Sequence, residues 1–76
     1  MELKGKNIER AARIDDVLEA YCMATGDSLD DGQEEVVADL LADLMHWAER
    51  ENLDWLRCSA RAERHYDYES RNPEER

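Results

Sequence analysis

Long apolar runs are missing from this sequence. No stretch approaches the roughly 20 residues of a bilayer-spanning helix, and the first residues carry no hydrophobic segment of signal-peptide type. Cysteine is scarce, and Cys22 and Cys58 have no close-spaced cysteine or histidine partner, so neither a zinc motif nor a disulfide framework is indicated. Both read as small apolar residues in a reducing compartment, and the expectation is a soluble cytoplasmic protein. Proline occurs once, at Pro73, and no glycine-rich loop, strand-like alternation or internal repeat is present. Basic residues are also few: ten against twenty acidic ones, a net charge of −10 over 76 residues. Polyanions repel one another, so direct binding to nucleic acid or an anionic membrane is disfavoured and partners should be neutral or basic.

The charge is segregated. Residues 1–14 carry a net +2, residues 15–54 a net −12, and residues 55–76 balance to zero. Within the acidic middle lies the strongest pattern of the chain, Gln33 to Glu51, QEEVVADLLADLMHWAERE. Val37, Leu40, Leu41, Leu44, Trp47 and Ala48 recur at helical spacing and predict a broad apolar stripe on one side of an α-helix. Glu35, Asp39, Asp43 and His46 fall on the other side. Asp31 followed by Glu34 has capping-box spacing. Asp30, Asp31, Glu34 and Glu35 all stand where a helix dipole favours negative charge, by about 0.3 to 1 kcal/mol each at exposed sites.

Two further helices flank this one. Asn7 is a candidate N-cap for a helix from Ile8 to about Ala24, with Ile8, Ala11, Ile14, Val17, Leu18, Tyr21 and Cys22 on one face and Gly26 as its left-handed stop. Residues 1–6, with Lys4 and Lys6, read as a mobile basic arm. Asp54 is a candidate N-cap for the third helix, with Leu53 as a hydrophobic staple. Trp55, Cys58, Ser59, Ala62 and Tyr66 share a face of that helix, Arg57, Arg61 and Arg64 form a basic strip on another, and a frayed tail follows from Ser70.

Three helices with short connections predict a single all-α domain, a small three-helix bundle centred on the second helix. A chain this short buries only about 60% of its unfolded surface, so the core should be modest. Three short helices are expected to leave part of the central stripe uncovered, and a homodimer through the second or third helix is a further expectation.

Glu35, Asp39, Asp43 and His46 stand at i, i+4, i+8, i+11, with neighbours about 6 Å apart along the axis. Such a row could share a divalent cation or present negative charge to a basic partner, but one helix supplies too few converging ligands for a metal site and no second helix offers a matching set. A solvated polar face is the plain reading. Glu34, Glu35 and Asp39 partly resemble the EExxE helix of the all-α nucleotide pyrophosphatases, but the third acid of that motif falls at Ala38 and no ExxD partner is evident. His65 and Tyr66 stand in no recognisable relation to a Ser or Cys nucleophile, and the expectation is that they close the end of the bundle, rings inward and polar tips in water. The arginine strip should pair with the acids of the second helix or with Glu63 and Asp67.

The run DLLADLMHWA, residues 39–48, followed by the A-x-x-HY segment of Ala62 to Tyr66, resembles a family of small acidic helical proteins of bacterial phages and plasmids. The likeness covers about half the chain. It implies a mobile-element accessory protein, for which inhibition of a host enzyme or defence is a common occupation, and it carries no functional residue. The leading expectation is a non-enzymatic inhibitor that uses no cofactor and imitates nucleic acid, as anti-CRISPR proteins can. It would dock on the basic surface of a nucleic-acid-binding host protein through Asp30, Asp31, Glu34, Glu35, Asp39 and Asp43. The alternative is a small homodimeric accessory or regulatory subunit that binds through its apolar helix face, with Trp47, Trp55 and Tyr66.

Overall fold

Each helix ends where backbone chemistry requires it. The computed structural model describes residues 2–75, the side chain of Asp31 excepted. Helix α1 spans Lys6–Thr25 and stops at Gly26, whose φ of 83° is the left-handed C-cap and whose N–H donates to the Cys22 carbonyl at 2.8 Å. A single 3₁₀ turn, Leu29–Asp31, follows, with the Ser28 side chain accepting from the Asp30 N–H. Helix α2 is Gln33–Arg50 and helix α3 is Trp55–Arg71. Between them the Leu53 N–H reaches back to the Ala48 carbonyl and the Asn52 N–H to that of Glu49, while Asn52 sits at φ 60°. These are the two reversed bonds of a Schellman corner, with asparagine in the place glycine usually takes. Asp54 then caps α3, its Oδ1 accepting from the Arg57 N–H.

The result is all-α, a three-helix bundle with α2 packed against α1, the 3₁₀ turn and α3. Among the described residues no helix is long and apolar enough to cross a membrane. The bundle is flat and open, 35 × 32 × 18 Å, with a radius of gyration of 14.1 Å; a compact chain of this length would have about 11 Å.

Openness leaves little core. Among the described residues only Val36 and Ala48 are fully buried, each 3% exposed. The expected stripe therefore needs correction. Of its six positions Ala48 is buried and Leu40 half-buried, whereas Val37, Leu41, Leu44 and Trp47 are 40 to 48% exposed, and the inward point is Val36, which the stripe did not include. Two expected caps also give way. Asn7 lies inside α1, whose N-cap is Gly5, because its side chain is engaged elsewhere: Nδ2 donates to the Glu69 carbonyl and Oδ1 accepts from Arg10. The expected capping box, whose Asp31 side chain lies outside the described residues, gives way to Gly32 as the N-cap of α2.

Helices α1 and α3 meet near the start of one and the end of the other. The Lys6 N–H donates to the Pro73 carbonyl at 2.6 Å. Arg10 pairs with Glu69 at 3.4 Å and donates to the Glu75 carbonyl. Lys6, assigned from sequence to the basic arm, is thus the first residue of α1, and the tail at Pro73 to Glu75 is bonded to that helix.

Candidate functional site

Helix α2 has two chemically distinct sides. With 3.6 residues per turn, positions two apart point about 200° away from one another. Asp39 and Leu41, Asp43 and Met45, and His46 and Leu44 therefore face opposite ways. One side carries Glu35, Asp39, Asp43 and His46; the other carries Val37, Leu41, Leu44 and Met45.

The acidic side is not uniform. Glu35 is exposed in the first turn, where the unpaired N–H groups of the helix favour its charge; Glu34, exposed in the same turn, stands in line with Val37 and Leu41 on the other side. Asp39 is half-buried along the border with α1. Asp43 accepts a hydrogen bond from the Tyr21 hydroxyl at 2.5 Å, which ties the end of α1 to the middle of α2. That bond raises the Tyr21 phenol to about 12 from an ordinary 10.0, helped by partial burial and by the charges of Asp43, Asp39 and Asp27. Among the described residues none of Glu34, Glu35, Asp39 and Asp43 pairs with a base; the ion pairs are Lys6–Glu9, Arg10–Glu69, Arg50–Glu51 and Arg71–Asp67.

The six residues expected to form one docking strip are divided. Glu34, Glu35, Asp39 and Asp43 share α2, while Asp30 belongs to the 3₁₀ turn. The side chain of Asp31 lies outside the described residues. Asp30 joins Asp15, Glu19 and Asp27 around an open groove of about 400 Å³ with Met23 and Leu29 on its walls. Those three acids escaped the sequence reading, although Asp15 and Glu19 stand at i, i+4 and could have been found by the spacing that marked α2. Tyr21 joins the two clusters, since Asp27 from one and Asp39 and Asp43 from the other all act on its hydroxyl.

Two expectations about α3 are corrected. Tyr66 is 64% exposed and His65 is exposed, so they do not close the bundle with buried rings. Asn7, Arg10 and Glu69 occupy that end instead. Arg57, Arg61 and Arg64 line one shallow surface with Ala60 and take part in none of the described ion pairs, because Asp67 is held by Arg71, one turn along the same helix. Cys22 is half-buried and Cys58 exposed, both as free thiols.

Among the described residues no three of His, Cys, Asp and Glu converge as metal ligands would. No protein-family model, curated protein or solved structure matches the chain. What the site offers chemically is charge: two neighbouring groups of carboxylates at the junction of α1, the 3₁₀ turn and α2, unneutralised by the arginines of α3.

Proposed function

We propose that this chain is a non-enzymatic interaction protein of the reducing cytoplasm that docks on a basic, nucleic-acid-binding surface of another protein through the acids of α2. The observation that carries this reading is that Glu35, Asp39 and Asp43 share one side of a helix, with Glu34 exposed in its first turn, while the ion pairs of the described residues all lie elsewhere. Carboxylates held at this spacing on a rigid helix present a row of negative charge to lysines and arginines that otherwise grip phosphates. Origin on a bacterial mobile element, with a host nucleic-acid enzyme as target, is part of the same proposal. It rests on the residue 39–48 and Ala62 to Tyr66 patterns.

The test is capture from bacterial lysate by the tagged protein at low and high salt, with and without added duplex DNA, followed by mass spectrometry. The expected result is a nucleic-acid-binding protein held at low salt, released by salt or by DNA, and lost when Glu34, Glu35 and Asp39 are changed to lysine. Asp43 is left intact because it anchors Tyr21. Equal capture by the triple variant would sink the reading.

A second reading is favoured by a separate observation, the exposure of Val37, Leu41, Leu44 and Met45 on the other side of α2. A regulatory subunit that contacts its partner through this surface would be insensitive to salt.

A further inference from the structure

The accessible surface of the chain is 6641 Å². A compact monomer of 8.9 kDa should expose about 4,800 Å². The difference is about 1,800 Å² per chain, which falls in the range that obligate homodimers bury, roughly 1,000 to 2,500 Å² on each partner. Part of this excess is apolar and in one place. Val37, Leu41 and Leu44 follow one another at spacings of four and three, the repeat that lets helices interlock side by side, and Met45 widens the strip. Every charged or titratable residue between Val36 and Ala48, namely Asp39, Asp43 and His46, lies on the other side of the helix.

We infer that the apolar side of α2 is covered by the same side of a second copy of this chain, in a two-fold dimer whose seam is Val37, Leu41, Leu44 and Met45. A second copy fits better than an unrelated partner for two reasons. The chain exposes more surface than a compact monomer of its mass, and a fold whose fully buried residues, among those described, are Val36 and Ala48 needs cover whenever it is folded. Charge favours the arrangement too. Back-to-back pairing through the apolar sides turns Glu35, Asp39 and Asp43 outward, so chains of net charge −10 meet along Val37 to Met45, where neither carries charge, and Glu34 stands at the end of that strip. The inference rests on the apolar-docking reading and not on the acid row.

The test is the mass of the untagged full chain by sedimentation equilibrium, with thermal midpoints over a roughly hundredfold range of concentration, because a dimer that unfolds to single chains melts higher as concentration rises. Twice the chain mass of 8.9 kDa and a concentration-dependent midpoint are expected. Leu41→Glu with Leu44→Glu should give the single-chain mass. Should that variant not fold, Leu41→Ala decides, since alanine keeps helix propensity: the dissociation constant should rise about tenfold or more, the leucine being lost on both sides of the seam. A wild-type chain of single mass with a concentration-independent midpoint overturns the inference, as does a dimer that Leu41→Ala leaves unchanged. If the wild type is monomeric yet captures another protein in a salt-insensitive way that Leu41→Glu abolishes, the dimer is overturned and the apolar-docking reading stands.

Discussion

Gly5 is where closure of α1 on α3 can be broken by a single methyl group. Its φ of 54° and ψ of −132° lie in a region that side-chain-bearing residues avoid, so alanine there costs about 1 to 3 kcal/mol in backbone strain alone. The added Cβ would also stand 2.8 Å from the Pro73 carbonyl oxygen, which is backbone and cannot rotate aside. That oxygen accepts from the Lys6 N–H at 2.6 Å. Displacing it forfeits a bond with a net value of about 0.5 to 1.5 kcal/mol. Gly5→Ala should therefore cost about 2 to 4 kcal/mol, a large share of the roughly 4 to 11 kcal/mol that a chain of this size has in total. Gly26→Ala is the control. Its φ is 83°, but nothing lies within 4 Å of a Cβ built there, so only the left-handed backbone term of about 1 to 2 kcal/mol applies. Urea unfolding at one fixed protein concentration, followed by helical circular dichroism, compares the two. A Gly5→Ala midpoint no lower than that of Gly26→Ala would refute the contact between the start of α1 and Pro73.

Asp54→Ala removes the acceptor for the Arg57 N–H and should lower stability by about 1 kcal/mol, with Asp54→Asn close to wild type in the same urea titration. Equal losses for the two variants would mean that charge, not capping, is what matters there. The Tyr21–Asp43 bond makes stability depend on alkaline pH with a definite sign. The folded state holds the phenol neutral up to about 12 against an ordinary 10.0, so this contribution is complete below pH 10 and is lost as pH rises through 12. Tyr21→Phe has no such titration, and across that window the wild-type unfolding midpoint should fall relative to the variant. Parallel curves would show that the hydroxyl does not hold Asp43 in solution.

The positions of the helices were legible because their stop signals are local. Gly26 ends α1 and Asp54 caps α3 by contacts with residues only a few positions away, which spacing and residue type specify. Asn7 and Gly32 show where such reasoning fails. Asn7 is a good N-cap residue in isolation, but its side chain bridges 62 positions to the Glu69 carbonyl, and that long-range bond draws it into the helix. At Gly32 the 3₁₀ turn intervenes, capped by Ser28, and displaces the start that Asp31 and Glu34 would otherwise set. The candidate site was legible as a row on α2 but not as a junction. Asp15, Glu19 and Asp27 reach the same corner only because the turn at Gly26 folds α1 back toward α2.

Periodicity says which side of a helix is apolar; it does not say whether anything lies against that side. In α2 the two questions have different answers, and the reason is geometric. An 18-residue helix is about 27 Å long. The start of α1 and the end of α3 bind each other through Arg10, Asn7, Glu69 and Pro73. The other end of α1 reaches α2 on the side marked by Asp43, and the Schellman corner at Asn52 closes beside Ala48. With these contacts Val36 and Ala48 are buried, while Val37, Leu41, Leu44 and Met45 stay open along the apolar side. A leucine that is half exposed in the folded chain forgoes much of the 1.5 to 3 kcal/mol, roughly, that complete burial would supply. The stripe that most strongly predicts the helix is thus the one whose stabilising power the single chain leaves largely unused, and a second copy packed on α2 would recover it without disturbing the acids on the opposite side.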